Sequence, residues 1–172
     1  MRPTADAIFM VMAQTISLRA TCNRLRVGAV LTLDNAILTT GYNGAPKGMP
    51  HCLDVECLMV DNHCKRTVHA ERNAIIWAAK RGPTISGSTL YLTHSPCFDC
   101  LTLMVQVGVK RIVFHEWYPR IDDRVIAMCQ HNGIILQQFT NDKTGPVPVP
   151  QLAPPLISNL LFNGYYRVAE GP

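Results

Sequence analysis

The chain is poor in charge. Its 172 residues include 16 lysines and arginines against 12 aspartates and glutamates, 16% in all, where an average globular protein carries about 25%. No run of five or more basic residues occurs, and the net charge is only +4. That balance argues against a nucleic-acid-coating protein and against a polybasic membrane binder. No apolar stretch approaches the roughly 20 residues of a membrane span. The longest one near the start, Ala7 to Ala13, lacks a clear cleavage site and runs on into an amphipathic pattern, so it does not read as an export signal. Internal repeats and low-complexity blocks are also missing. What is present is 48% hydrophobic residues, which excludes a disordered chain, and a length that suits one domain with a tail. Seven cysteines, an odd number, and six histidines complete the inventory. Without an export signal the expected compartment is the reducing cytoplasm, where clustered cysteines hold metal more often than they pair.

Periodicity predicts the elements. Ala5, Ile8, Phe9, Met12 and Ile16 recur at three- and four-residue steps, one apolar helix face. Val27 to Thr40 reads as two strands joined by a tight turn at Asp34-Asn35. A long loop carrying Pro46, Gly48, Pro50 and several Cys and His follows; a loop of this length is functional or is held by something other than a hydrophobic core. A helix is predicted from near Thr67 to Lys80, a strand over Thr89–Thr93, and a helix starting at Pro96 with Ser95 as its cap. A strand at Arg111–Phe114, a helix at Ile121–Gln130 and a strand at Ile134–Leu136 complete the series. This alternation implies a layered α/β domain over residues 1–140. Residues 141–172 break the pattern. They are proline-rich yet carry Leu156, Ile157, Leu160, Leu161, Phe162, Tyr165 and Tyr166, so this tail is expected to pack on the domain or on a neighbouring subunit.

Two short motifs carry chemistry: His69-Ala70-Glu71, and Pro96-Cys97-Phe98-Asp99-Cys100, each at a predicted helix start. Cys97 and Cys100 are three residues apart and share one face of a helix, in a first turn whose N–H groups and dipole favour thiolates. His69 adds a third ligand. One His and two Cys leave a tetrahedral position for water, the pattern of a catalytic rather than a structural zinc. Such an ion lowers the pKa of its water towards roughly 7. Glu71, two residues from His69, reaches that water as general acid/base without ligating the metal. His-x-Glu followed by Pro-Cys-x-x-Cys is the zinc deaminase signature. The competing reading is a structural zinc closed by a fourth ligand such as Cys64 or His94.

Around these motifs stand Cys22-Asn23-Arg24, Val27-Gly28-Ala29-Val30, Gly41-Tyr42-Asn43-Gly44-Ala45-Pro46, His51-Cys52 and Cys64-Lys65-Arg66-Thr67. With them, and with the long connection from Gly44 to His69, the chain resembles the deoxycytidylate deaminases of the cytidine deaminase superfamily over roughly residues 4–140. The resemblance implies a three-layer α/β/α fold around a mixed five-stranded sheet. It implies zinc-dependent conversion of dCMP to dUMP for thymidylate synthesis, a homohexamer, and regulation by dCTP as activator and dTTP as inhibitor. It gives Asn43 to the sugar hydroxyl, the backbone of Ala70 and the Ser95 region to the base edge, and His94 and Tyr118 to the pocket wall. Arg24, Arg26 and Arg120 are the candidates for a 5′-phosphate. Gly41, Tyr42, Asn43, Gly44 and Lys47 are candidates for part of an effector site. A second, structural zinc of some family members would here draw on Cys22, Cys52, Cys57, His63 and Cys64, with Cys22, Cys52, His63 and Cys64 the favoured set. Where certain relatives have a histidine two residues before the catalytic one, this chain has Thr67. Cys129, in a helical run with Val125 and Met128, reads as core.

A polynucleotide deaminase on the same scaffold would need basic grooves and exposed aromatics for splayed bases; aromatics at 7% and a charge of +4 argue against it. A deaminase-like regulatory or DNA-uptake protein is the third reading, and the intact Glu71 argues against a dead scaffold.

Overall fold

The computed structural model describes residues 3–60, 63–82, 84–119 and 123–139. The expectation for the 141–172 tail, and that for Arg120, lie outside the described residues. Helix α1 spans Ala5–Ser17; strands β1 (Gly28–Leu33) and β2 (Ala36–Tyr42) form a hairpin. Its turn residues Asp34 and Asn35 both have positive φ, 49° and 60°, the conformation that a right-handed hairpin twist demands of a two-residue turn. A small hairpin follows, β3 (Met59–Val60) with β4 (His63–Cys64), which periodicity did not reveal. The chain then alternates: α2 (Ala70–Arg81), β5 (Thr89–His94), α3 (Phe98–Gln106), β6 (Arg111–Glu116), α4 (Asp123–His131) and β7 (Ile135–Gln138).

The five long strands form one sheet in the order β2-β1-β5-β6-β7. β1 is antiparallel to both β2 and β5, while β5–β6 and β6–β7 are parallel, so the sheet is mixed. The two-residue period of a strand divides its side chains between two cores. Ala29, Leu31, Leu90, Leu92, Ile112 and Phe114 pack under α2, α3 and α4; Val30, Tyr91 and Val113 pack under α1. This is the expected three-layer α/β/α architecture. Cys129 is buried in the larger core, as predicted.

The buried stripe of α1 differs from the expected one. Ala7, Phe9, Met10 and Ala13 are inside, and Ile8 is 45% exposed. The cause is close approach: a Cβ on Gly28 would stand 1.9 Å from the Ala13 carbonyl oxygen, so the helix backbone sits directly on β1 and only small residues fit there. Gly41 plays the same part on the opposite face, where a Cβ would meet the Ala70 oxygen at 2.2 Å. β2 is thereby pressed against the first turn of α2, which holds Ala70 and Glu71.

A polar cluster ties α1 to the sheet. Arg111 donates to both Asp6 oxygens, at 2.8 and 2.5 Å, and the Tyr91 hydroxyl donates to Asp6 at 2.6 Å. Arg111 holds the Asp6 carboxyl below its ordinary value. A depressed carboxylate contributes stability above its unfolded pKa, about 3.9, and that contribution is lost as pH falls through the folded value. Asp6→Asn is therefore expected to lower the unfolding free energy by about 2 kcal/mol at pH 7. The partial exposure of the pair keeps the loss below that of a fully buried one. In urea titrations the gap between variant and parent should close below about pH 3–4; a gap independent of pH would refute the assignment.

Candidate active site

The site is built on two helix N-termini that meet beside the end of β5. His69 is the N-cap residue of α2 (φ −65°, ψ 154°) and Cys97 that of α3 (φ −76°, ψ 164°), and neither side chain makes a capping hydrogen bond. Ser, Thr, Asp and Asn are the usual residues at such positions. Here the cap side chains turn instead towards each other. His69 Nδ1 lies 3.6 Å from Cys97 Sγ and 3.3 Å from Cys100 Sγ, and the three ligand atoms are all within 4.8 Å of one another. The helix predicted to begin with Ser95 as its cap begins instead at Phe98. Ser95 is buried, and its Oγ accepts the Tyr118 N–H at 2.8 Å. Similarly α2 starts at Ala70 rather than near Thr67.

The electrostatics of this cluster call for a cation. Two thiols this close do not both ionise unaided. Cys97 is drawn down to about 4 by hydrogen bonding from Cys100, against its burial, with help from His69. Cys100 is pushed up by Cys97 and by burial. His69 is raised by its bond to Cys97. An ion bound between them removes the conflict, because thiolates and a neutral imidazole are what zinc binds. The donor set therefore fits zinc. The group numbers three, and a fourth protein ligand is absent from it among the described residues. Cys64 lies in a different cluster, and His94 Nε2 faces Glu116 at 3.3 Å.

Glu71 sits one position into α2, buried at 4%. Desolvation raises its pKa, and the charge of His69 opposes that rise. Arg72, the next residue, pairs with Asp99 of α3 at 3.8 Å, and its charge bears on Cys100. Sequence reasoning passed over this contact across the two helix starts.

A cavity of about 220 Å³ opens over the cluster. It is lined by His69, Ala70, Glu71 and Cys97, and of the other expected residues it gathers Asn43, His94, Ser95, Tyr118 and Arg24. Arg26 is exposed and does not line it. Asn43 is buried, and both ends of its amide are engaged: Oδ1 accepts from Val27 N–H at 2.7 Å and Nδ2 donates to Leu25 C=O at 2.8 Å. One lone pair and one amide proton remain. Asn43 therefore shapes the segment that follows Arg24 as well as facing the cavity. In the proposed effector stretch, Gly41 and Gly44 are buried, Tyr42 is half-buried and Lys47 is exposed.

The sulfur cluster in the insert differs from the favoured set. Cys52, Cys57 and Cys64 come together; Cys22 and His63 are outside that trio and line the cavity described above with Cys64. Among the described residues no helix is long and apolar enough to cross a membrane.

Comparison with known proteins agrees with this geometry. The family model for the cytidine and deoxycytidylate deaminase zinc-binding region matches residues 3–116. The chain is 44% identical over 135 residues to ComE operon protein 2 of Bacillus subtilis, covering 78% of this chain and 71% of that protein. It is 32% identical over 146 residues to the deoxycytidylate deaminase of Saccharomyces cerevisiae, covering 81% of this chain. It spans less than half the length of that yeast relative and of the one from Schizosaccharomyces pombe. Among solved structures, the dCMP deaminase of cyanophage S-TIM5 in complex with dCMP and dUMP superposes with a TM-score of 0.71 at 35% identity, over 81% of this chain and 99% of that one.

Proposed function

The chain belongs to the cytidine and deoxycytidylate deaminase family, and on that footing we propose that it hydrolyses dCMP to dUMP and ammonia, supplying dUMP for thymidylate synthesis. The observation that carries the reading is the three-donor cluster with a buried carboxylate beside it, both opening on one cavity. Zinc held by His69, Cys97 and Cys100 supplies a nucleophile at neutral pH by acidifying water.

The remaining steps belong to the chain's own groups. Glu71 accepts a proton from water and hands it to the ring nitrogen of the cytosine. Once the water oxygen has bonded to the amine-bearing ring carbon, Glu71 takes the second proton from that added hydroxyl and gives it to the exocyclic amine; the C–N bond breaks, ammonia departs and the hydroxyl oxygen is left as the carbonyl. Burial of Glu71 suits both halves of this shuttle, because a desolvated carboxylate holds a proton more readily than one in water. The backbone of Ala70 and Ser95 borders the base edge, His94 and Tyr118 wall the ring, and Asn43 offers its remaining amide proton to the sugar. Arg24 at the rim is the phosphate donor the cavity supports best; Arg26 and Arg120 are the other basic candidates.

Regulation by dCTP and dTTP through the Gly41–Pro46 loop and Lys47, assembly into a homohexamer and a cytoplasmic location belong to the same proposal, on the strength of family membership. Ammonia release from dCMP, CMP, deoxycytidine and dCTP, each with and without dCTP or dTTP as effector, tests it. Turnover is expected to be fastest with dCMP. No turnover of any free nucleotide would overturn the proposal.

A further inference from the structure

Where β5 and β6 end, a side chain takes over from the backbone. The two strands run parallel with His94 opposite Glu116, and the Ser95 N–H donates to the Glu116 carbonyl at 2.8 Å. Bonds in a parallel ladder are evenly spaced, with every second residue of a strand bonding to the same neighbour. The next rung would therefore take the Tyr118 N–H to the Ser95 carbonyl. It goes instead to the Ser95 side chain, whose Oγ accepts it at 2.8 Å. On its other side this segment is held by Trp117, whose ring packs on Phe114 at 4.4 Å between centroids. Tyr118 is thereby fixed as a wall of the cavity.

The Ser95 carbonyl is left over by this exchange. Cys97 is the N-cap of α3, and its carbonyl accepts from the Leu101 N–H at 3.0 Å, so Ser95 lies two residues too early to join the helix. Pro96 has no N–H to offer. Among the described residues no backbone N–H outside the regular elements donates to the Ser95 oxygen. Ser95 is buried yet lines the cavity, and a buried carbonyl without a protein donor is an acceptor kept for something else. The amine of a cytosine is a donor; the oxygen that replaces it in the product is an acceptor. We propose that the Ser95 hydroxyl is a positioning residue: by taking the Tyr118 N–H it keeps the Ser95 carbonyl open to the exocyclic amine of dCMP. The inference rests on the dCMP reading above and adds a source of discrimination to it. After turnover the carbonyl faces another oxygen in dUMP, so the same atom that holds the substrate favours release of the product. Without the hydroxyl, the Tyr118 N–H falls back on the Ser95 carbonyl and competes with the amine.

Calorimetric binding of dCMP and of dUMP to the zinc-loaded full chain tests this. A Glu71→Gln background lets dCMP bind without being consumed. Adding Ser95→Ala should weaken dCMP by roughly ten- to a hundredfold, the scale of one hydrogen bond lost at a buried group, and dUMP by less than about threefold. A merely structural loosening of the wall, or a direct contact of the hydroxyl with sugar or phosphate, would weaken both nucleotides alike. Equal weakening of the two, or of neither, therefore overturns the role of the hydroxyl and leaves the deaminase reading standing. Binding of neither nucleotide to the Glu71→Gln parent overturns that reading and the inference with it. Ser95→Thr keeps the hydroxyl and should bind both nucleotides as the parent does. It also decides the matter should the alanine variant fail to fold, since a selective loss of dCMP in a variant that retains the acceptor would overturn the proposal.

Discussion

Glu71→Ala is expected to lower kcat for dCMP by about 10³- to 10⁴-fold while leaving zinc content and far-UV circular dichroism unchanged. The upper end of the usual contribution of a positioned acid/base, 10²–10⁴, applies because one carboxylate serves two proton transfers. Glu71 is no metal donor: the trio consists of His69, Cys97 and Cys100, so its removal takes away the proton shuttle and not the ion. Its burial at 4% means that bulk water cannot readily substitute for it. Glu71→Gln keeps shape and volume but cannot take up a proton, and should be as inactive as the alanine variant with less loss of stability. A glutamine variant retaining more than a tenth of parental kcat would show that another group moves the protons.

Removing zinc should cost both activity and stability. The three donors come from the starts of α2 and α3, so an ion held by them would tie together two elements that are also linked by the Arg72–Asp99 pair and by shared apolar packing. An ion present at a thousand times its Kd stabilises the native state by about 4.1 kcal/mol. For a domain of this size that corresponds to roughly 10 °C in Tm. Chelation is expected to abolish ammonia release and lower Tm by that order, and zinc added back should restore both. Cys100→Ser should reproduce the loss without chelator, because a hydroxyl is a poor zinc donor at neutral pH. Full turnover in metal-free protein would defeat the mechanism.

The chain's short-range patterns determined most of the architecture. Alternation of strand and helix signals from Val27 onward gave the layered sheet. Asp34-Asn35 gave the hairpin, and His69-Ala70-Glu71 with Pro96-Cys97-Phe98-Asp99-Cys100 gave the three-donor cluster with Glu71 beside it. These features are legible because each depends on residues a few positions apart, where periodicity and cap chemistry act directly. Only the tertiary structure decided the rest. It chose Ala7 and Ala13 over Ile8 for the inner face of α1, because Gly28 admits a helix backbone where a larger side chain would collide. It brought Cys57 to Cys52 and Cys64 and left His63 outside that trio, a matter of how a long insert closes on itself. It turned Ser95 from a helix cap into the acceptor for Tyr118, and it engaged both ends of the Asn43 amide with the Leu25–Val27 backbone. In each case the partner lies ten or more residues away along the chain, or on another element, and packing selects it only once the sheet has formed.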